Sequence, residues 1–264
     1  IMVLVFDIET IPDVALGRRA LGLRSLSDEQ VAKAMFTQAR AQTGSDFLPY
    51  EQHQVVAISC VMRSGDQLKV WSLGDEQSDE KDLLQRFFDG IERYSPELVS
   101  WNGAGFDLPV LHYRALRAGI QAPRYWEVGD EDREFRYNNY LSRYHWRHMD
   151  LMDILSGFQG RARASLEDMA ALLELPGKLG FSGDQVWDAV QRGELAAVRN
   201  YCETDVLNTY LIYLRFQFLR GRLDASALAT EQQRVRDMLQ ASGAAHHLEF
   251  LRAFTMHPTG MAAQ

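Results

Sequence analysis

The chain contains few cysteines. Only Cys60 and Cys202 occur among its 264 residues, and neither belongs to a CxxC pair. Two cysteines so far apart supply neither a disulfide framework nor a cysteine-based zinc site. Cysteine usage of this kind is typical of a reducing compartment, so we expect a cytoplasmic protein. Cys60 falls in an apolar, strand-like segment, where inert core packing is the expected role.

Long apolar runs are also lacking. The runs at residues 2–6 and 55–62 are far too short to span a bilayer. No basic segment followed by an apolar one opens the chain, so we expect no secretory signal and no membrane partner. The composition, 46% hydrophobic and 24% charged, is typical of a globular protein with a sizeable core.

Positive charge is in short supply. The 28 lysines and arginines are outnumbered by 36 aspartates and glutamates, which gives a formal net charge of −8 at pH 7. Proteins that coat nucleic acid neutralise its phosphates with Lys and Arg, so a broad nucleic-acid-binding surface is disfavoured. The charge balance is still compatible with an enzyme that grips only a strand end, because carboxylates that bind divalent ions contribute to the negative count.

Hydrophobic patterning predicts alternating strands and helices. An apolar strand begins at residue 2 and is broken by Ile11-Pro12-Asp13, and further strands are expected at 54–63, 67–73, 98–101 and around Met149, leading into residues 151–155. Helical patterns cover residues 79–93, 108–118, 165–175, 194–220 and 226–241, and inserted helices are expected at 14–45. This order predicts an α/β fold in which helices cover the faces of a sheet.

The first strand ends in the sequence FDIET, which places Asp7 and Glu9 two residues apart. Side chains alternate along an extended strand, so both carboxylates are expected on one face. Two like charges this close repel each other unless a cation lies between them, and Mg²⁺ and Mn²⁺ prefer oxygen ligands. An acidic pair on a solvated strand is the alternative, which the five apolar residues before Asp7 disfavour.

A second acid, Asp107, ends the sequence WNGAGFD just beyond a predicted strand. The two glycines of this segment allow a tight turn and a close approach of the backbone to a ligand. Taken alone, Asp107 is expected to cap the helix that begins at residue 108.

The third acidic segment, YCETD, lies in a predicted long helix. Tyr201 and Asp205 are four residues apart, so they share one helix face. Glu203 points to a different face and is expected to be solvated. The alternative for the pair is a tyrosine half-buried by its ring beside an exposed aspartate.

Together, the four carboxylates and the tyrosine suit phosphodiester hydrolysis. That reaction needs an activated water, stabilisation of negative charge on phosphorus and help for the departing oxygen. Two metal ions about 4 Å apart supply all three. Four carboxylates carry enough charge to hold two divalent ions, and a tyrosine beside the attacking water can orient it.

FDIET, NGAGFD and YCETD, in this order and spacing, resemble the three exonuclease motifs of the DEDD superfamily, to which the proofreading domains of DNA polymerases belong. Because Tyr201 lies four residues before Asp205, the third motif resembles that of the tyrosine (DEDDy) branch rather than that of the histidine branch. Within that branch, RHMDLMDIL, KLGFSGDQVWDA and NYCETDVLNTYLIYLRF resemble stand-alone bacterial proteins related to the exonuclease domain of family-B DNA polymerases.

The resemblance covers about residues 2–220 and implies a ribonuclease-H-like fold, an α/β mixed sheet flanked by helices. We therefore expect an exonuclease domain at 1–220, with helical or irregular insertions at about 14–50 and 124–148. Residues 221–264 are expected to form a helical C-terminal extension.

The resemblance also implies a role for each motif residue. Asp7 would bridge two divalent ions, Mg²⁺ or Mn²⁺. Glu9 and Asp205 would complete the site of the ion on the nucleophile side, and Asp107 would serve the second ion. Tyr201 would position the attacking water.

Three further motif residues would contact the terminal nucleotide, namely Thr10, Asn102 and Phe106. For Phe106, support of the sheet is the favoured role. The inserted segment 124–148 mixes arginines with aromatic residues, which suits either a nucleic-acid strand or an ordinary packed insertion.

Other polar residues near the motifs are expected to be structural. Asp150, Asp153 and His148 lie near a strand end and are expected to support the site rather than to form it. His246 and His247 are expected at a solvated helix end.

The expected activity is 3′→5′ hydrolysis of single-stranded DNA to 5′-mononucleotides, so single-stranded 3′ ends are the expected partner. Members of the same branch process RNA, and the sequence does not discriminate between the two polymers. A non-catalytic module that binds nucleic acid or a partner is the alternative from another class, which the intact acid set disfavours. No polymerase motif is present, so a proofreading or DNA-repair role would require a separate partner.

Overall fold

A mixed five-stranded sheet forms the centre of the protein, of which the computed structural model describes residues 1–256. Its strands are β1 (Val3–Pro12), β2 (His53–Ser64), β3 (Gln67–Ser72), β4 (Glu97–Ser100) and β5 (His148–Asp150). The strand order is β3-β2-β1-β4-β5; β1, β4 and β5 are parallel, and β2 is antiparallel to β1 and β3. The predicted α/β class and the mixed sheet of a ribonuclease-H-like fold are confirmed.

Helices cover both faces of this sheet. They are α1 (Val14–Leu21), α2 (Asp28–Thr43), α3 (Glu80–Tyr94), α4 (Leu108–Ala118), α5 (Leu151–Leu155), α6 (Leu166–Leu172), α7 (Val186–Gln191), α8 (Leu195–Leu219), α9 (Ala225–Ser242) and α10 (Ala245–Met256). Helices α3 and α4 pack on one face, whereas α8, α9 and α10 share a hydrophobic cluster on the other. Along residues 1–256, no helix is both long and apolar enough to cross a membrane.

Alternate residues of β1 face these two helical layers. Phe6 and Ile8 pack among the side chains of α3 and α4, whereas Val5 packs among those of α8. Asp7 and Glu9 follow Val5 at intervals of two, so their side chains continue the α8-facing series. The period of the strand therefore brings the first acidic pair to the helix that carries the third motif.

The structure differs from the predicted elements in three places. Strand β1 continues through Pro12. Strand β4 pairs only with residues 3–5 of β1, so no hydrogen bonds to β4 are lost at Pro12, and proline is tolerated there. Residues 151–155 form a helix, since the Asp150 side chain accepts a hydrogen bond from Asp153 N and caps it. The short helix α7 was not predicted.

In the segments predicted as insertions, residues 14–50 supply α1 and α2, and 124–147 are irregular apart from one 3₁₀ turn. Helices α9 and α10 follow α8 in the predicted extension. The assignment of these segments as insertions and as an extension stays a prediction. The domain boundary at residue 220 stays a prediction, and the end of the predicted extension, residues 257–264, lies outside the described residues.

A buried ion-pair cluster joins the end of β1 to α3 and α4. The Arg114 guanidinium donates to Asp13 Oδ2 at 2.9 Å and to Glu80 Oε1 at 2.8 Å, and its side chain is only 3% exposed. Glu80 Oε2 also accepts a hydrogen bond from Val55 N at 2.6 Å. One arginine therefore offsets two buried acids contributed by different elements.

Replacing Arg114 with methionine should lower the free energy of unfolding by about 3–5 kcal/mol, because Asp13 and Glu80 would be left as buried, unpaired charges. Urea denaturation measures this effect. The exposed Arg93 on α3 is a matched control outside the cluster, and Arg93→Met should change stability by no more than about 0.5 kcal/mol. Equal denaturation midpoints for the two variants would contradict this account of the cluster.

Candidate active site

The four motif acids come from three parts of the fold and line one open cleft of about 400 Å³, together with Glu167 of α6. Asp7 and Glu9 come from β1, Asp107 from the turn before α4, and Asp205 from α8. Tyr201 lines the same cleft. The structure thus brings together residues that lie almost two hundred positions apart in the chain.

The β1–β2 ladder fixes the direction of the first two carboxylates. Asp7 pairs with Ser59 and Glu9 with Ala57, and the register shifts immediately after Glu9. Register irregularities of this kind are frequent beside active sites, where they redirect side chains. Carboxylate oxygens of Asp7 and Glu9 lie within 4.8 Å of each other and of Cys202 Sγ.

Asp107 does not cap α4, so the capping role expected from its position alone is wrong. Its side chain makes no capping hydrogen bond. Instead, Oδ2 accepts a hydrogen bond at 3.1 Å from Ile8 N. This amide is available because β4 pairs with β1 only as far as Val5, and the bond holds Asp107 against the strand that carries Asp7.

The turn that carries Asp107 is held by Asp150 at the end of β5. The two carboxylate oxygens of Asp150 accept hydrogen bonds from Asn102 N at 2.9 Å and from Ala104 N at 3.1 Å. Asn102 adopts a left-handed conformation with φ of 62°. A Cβ atom at Gly103 would lie 2.2 Å from Ser100 Oγ, so only glycine fits there.

His148 and Asp153 support the same region from outside the cleft. His148 Nε2 lies 2.8 Å from Ser100 Oγ, which in turn accepts a hydrogen bond from Gly103 N. Asp153 forms ion pairs with Arg143 and Arg163. Neither residue is among those that line the cleft.

Burial raises the pKa values of the four acids, and the charges of the other cleft acids add to this shift at Asp7, Glu9 and Asp205. Burial raises the pKa of Asp7 well above its usual range, and the charge of Asp107 adds to that shift. Burial also raises the pKa of Asp107 to about 7 and, together with the charge of Asp7, that of Asp205 to about 8. Glu9 is affected in the same direction, first by burial and then by Asp7. The cleft therefore favours either protons or added cations.

Tyr201 keeps its proton in this environment. Burial, followed by the charges of Asp205, Glu9 and Asp7, raises the pKa of its hydroxyl above the usual range. Its ring packs against Phe181, with centroids 4.9 Å apart. A hydroxyl that is fixed and protonated can orient a water molecule, but it cannot serve as a base near neutral pH.

The donor set fits divalent cations. Oxygen ligands of negative charge are those that Mg²⁺ and Mn²⁺ prefer. Asp7, Glu9, Asp107 and Asp205 supply such oxygens around one cleft. A bound cation would relieve the repulsion that raises their pKa values.

The three residues expected to contact a nucleotide lie in different places. Asn102 and Phe106 line the cleft, but Thr10 is not among its lining residues. Thr10 lies on the opposite side of β1 from Glu9, and its hydroxyl pairs with His53 Nδ1 at 2.8 Å. Phe106 packs edge-on against Phe47, with ring centroids 5.6 Å apart.

In the insertion at 124–148, internal contacts occupy several of the arginines. Arg124 pairs with Asp132, and the Arg147 guanidinium lies 3.8 Å from the centre of the Phe135 ring. Arg143 pairs with Asp153. These contacts favour the packed-insertion interpretation over a nucleic-acid track.

Two cleft-side residues were not identified from the sequence. The Cys202 thiol donates to Asp7 O at 3.4 Å and contacts Asp7 Oδ2 at 3.7 Å. Lys178 lines the cleft, and its charge lowers the pKa of Glu9 and Asp205 against the stronger effect of burial. Its loop is held by Asn208, whose side chain bonds both N and O of Gly177. The position of Cys202 within YCETD was an available signal, whereas no local pattern marks Lys178.

Glu203 and His247 are buried, so the expectation that they are solvated is wrong, whereas His246 is partly exposed. Glu203 is 8% exposed and His247 is 6% exposed. Burial alone would raise the pKa of Glu203, but hydrogen bonds from both histidines and from Ser72 outweigh it and lower the pKa to about 2. Helix α10 folds back onto α8, and this tertiary contact is absent from the local sequence pattern.

The raised carboxyl pKa values predict how stability depends on pH without metal. Asp205 has a folded pKa of about 8 against an ordinary 3.8, so the folded protein holds a proton that the unfolded chain releases. This stabilising contribution is complete at low pH and is lost as the pH rises through about 8. With chelator present, thermal scans should show a melting temperature that falls as the pH rises from about 3.8 to about 8. Added Mg²⁺ or Mn²⁺ should restore the melting temperature.

The Asp205→Asn variant is the matched comparison, because it removes one charge and changes little in volume. It should melt above the wild type in chelator at pH 8, by about 2–4 °C per kcal/mol of repulsion removed, and should respond less to metal. Identical pH profiles for the two proteins, with no effect of metal on either, would contradict the repulsion described for the cleft.

Comparison with known proteins gives two similar DNA polymerases. A DNA polymerase of Archaeoglobus fulgidus is 26% identical over 165 residues, which cover 61% of this chain and 20% of the polymerase. The family B DNA polymerase from the hyperthermophilic archaeon Pyrobaculum calidifontis is 20% identical, with a TM-score of 0.48 and coverage of 90% of this chain and 28% of the polymerase. This chain spans less than a third of either polymerase.

A family model matches residues 45–254, a range that includes Asp107, Tyr201 and Asp205 and begins after β1. The family is described as a predicted 3′-5′ exonuclease related to the exonuclease domain of PolB. Because the match covers most of the 264 residues, the chain belongs to this family of predicted 3′-5′ exonucleases related to the exonuclease domain of PolB.

Proposed function

We propose that this protein, as a member of the DEDDy branch, hydrolyses single-stranded DNA from the 3′ end and releases 5′-mononucleotides, with two divalent ions, Mg²⁺ or Mn²⁺, as cofactors. The observation that supports the proposal is the convergence of four mutually repelling carboxylates and a protonated tyrosine on one open cleft. An intact acid set also argues against a module that only binds nucleic acid.

Asp7, Glu9, Asp107 and Asp205 would hold the ions. When bound, two such ions activate a water and stabilise the leaving oxygen of a phosphodiester. The Ile8 amide fixes Asp107, and the Cys202 thiol, whose pKa burial raises, donates to Asp7. These contacts orient the carboxylates before substrate arrives, which limits reorganisation during the reaction.

Tyr201 and Lys178 also line the cleft and would act on the reacting groups. The Tyr201 hydroxyl would donate or accept a hydrogen bond with the attacking water and so direct it toward phosphorus. Among the cleft-lining residues that the structure describes, Lys178 is the one Lys or Arg. Its ammonium group would attract the phosphate of the terminal nucleotide into a site rich in negative charge.

An aromatic shelf beside the cleft suits unpaired bases. It consists of Phe106, which lines the cleft, together with Phe47 and Tyr50, which are 53% and 37% exposed. Aromatic rings bind single strands by stacking on bases and do not require a particular sequence. The shelf therefore supports a single-stranded substrate, and Asn102 would contact its terminal nucleotide.

Digestion of matched DNA and RNA single strands tests the proposal. Each strand carries a 5′ label and is incubated with Mg²⁺, with Mn²⁺ or with chelator. Stepwise shortening of DNA from the 3′ end, abolished by chelator, is the expected result. Faster shortening of RNA would make the protein an exoribonuclease, and no shortening of either strand with either metal would contradict the proposal.

Asp7→Asn should reduce the rate of mononucleotide release at least about 100-fold, the size of effect expected on removing one group that stabilises a transition state. The fold should remain, because asparagine has nearly the shape of aspartate. Asp188→Asn, at an exposed position of α7, is the matched control and should keep the wild-type rate. Equal rates in the two variants, after metal-free purification, would rule out the assigned role of Asp7.

Phe47→Ala should raise KM for a single-stranded oligonucleotide about 5-fold or more, since one base–aromatic stack contributes about 1–3 kcal/mol. The kcat should change less, because Phe47 is not among the residues that line the cleft. Tyr94→Ala removes a ring of similar exposure, 51%, on α3 and should leave KM unchanged. A KM that does not distinguish the two variants would exclude the shelf as a binding surface.

A further inference from the structure

A second cluster of metal-ligand side chains lies outside the carboxylate cleft. Glu203 of α8 faces His246 and His247 at the start of α10. The Nε2 atoms of His246 and His247 lie 2.9 and 2.7 Å from Glu203 Oε1. One ligand atom from each of the three residues falls within 4.8 Å of the other two.

Glu203 and His247 are buried and are oriented by further hydrogen bonds, whereas His246 is partly exposed. Ser72 Oγ donates to Glu203 Oε2 at 2.6 Å, and Ser242 Oγ bonds His247 Nδ1. Metal-binding histidines and carboxylates are oriented by hydrogen bonds of this kind on their remaining atoms. His246 and His247 are consecutive residues of α10, and both direct Nε2 at the same oxygen of Glu203. The three atoms therefore point toward one another, which is the arrangement that a bound ion requires.

We propose that Glu203, His246 and His247 form a second metal site, which takes a transition-metal ion such as Zn²⁺. Two imidazole nitrogens and one carboxylate oxygen suit zinc, whereas the all-carboxylate cleft suits Mg²⁺ and Mn²⁺. On binding, each neutral imidazole presents the lone pair of Nε2 to the ion and carries its single proton on Nδ1. The proton formerly on Nε2 thus moves to Nδ1, and only a histidine protonated on both nitrogens releases a proton to solvent. The Nδ1 proton of His247 is donated to Ser242 Oγ.

A water molecule completes the coordination. His246 also borders a cavity of about 200 Å³ that is lined by Tyr201 and Glu249, which is ample room for one water. Three protein ligands and one water give the tetrahedral geometry that zinc adopts.

The site connects α10 to α8, the helix that carries Tyr201 and Asp205 of the cleft. Glu203 lies between Tyr201 and Asp205 in the sequence of α8. An ion that binds only the folded protein stabilises it by mass action. Zinc therefore stabilises the packing of α10 on α8 whether or not a substrate is bound.

Titration of the full chain with Zn²⁺ and with Co²⁺, a spectroscopic probe of tetrahedral sites, tests this inference. The background is an Asp7→Asn/Asp107→Asn variant, so that the cleft does not compete for the ion. Calorimetry should give one Zn²⁺ per chain, and Co²⁺ should give the visible absorption of a tetrahedral site. In this background, His247→Gln should weaken zinc binding by more than about 100-fold, and His145→Gln, at a histidine outside the cluster, should not.

Ser242→Ala provides a second test that keeps all three ligands in place. It should weaken zinc binding by about 10-fold, because the hydrogen bond that orients His247 is lost, along with a long bond of 3.4 Å from Ala244 N. No zinc binding in the Asp7→Asn/Asp107→Asn background, or binding that His246→Gln and His247→Gln leave unchanged, would overturn the inference and leave a hydrogen-bonded cluster. Neither readout depends on nuclease activity, so this outcome is separate from that of the proposed function.

Discussion

Mutual repulsion among four carboxylates in one cleft is the constraint on which the rest of the site depends. The strand β1, the turn before α4 and the helix α8 bring Asp7, Asp107 and Asp205 into one cleft. Burial raises the pKa values of all three, and the charges of neighbouring acids add to the shift at Asp7 and Asp205. Buried like charges destabilise a fold unless protons or cations offset them. A protein that keeps this arrangement is therefore built to bind cations, and the chemistry of the cleft follows from that requirement.

The surrounding structure holds the acids in place against this repulsion. The Ile8 amide, left unpaired by the short β4 strand, holds Asp107. Asp150 holds the turn on which Asp107 lies, and the Cys202 thiol holds Asp7. The contacts come from neighbouring elements of the sheet and from α8, so the geometry of the cleft is coupled to the fold as a whole.

Within the candidate site, the sequence predicts which side chains lie together where spacing alone sets their geometry. A strand period of two placed Asp7 beside Glu9, and a helical spacing of four placed Tyr201 beside Asp205. Asp107 was harder to interpret, because a helix N-terminus explains an aspartate locally and only the sheet topology supplies Ile8 N. The partners of Glu203 lie more than forty residues away in α10, and local periodicity contains no information about contacts at that distance.

Anomalous diffraction from crystals grown or soaked with Mn²⁺ tests the central claim most directly, because it locates the cations themselves. The account predicts two manganese peaks in the cleft, one of them between Asp7 and Asp107, and loss of at least one peak in the Asp7→Asn variant. Manganese peaks at other positions in the crystal, with none among the four carboxylates, would contradict the account.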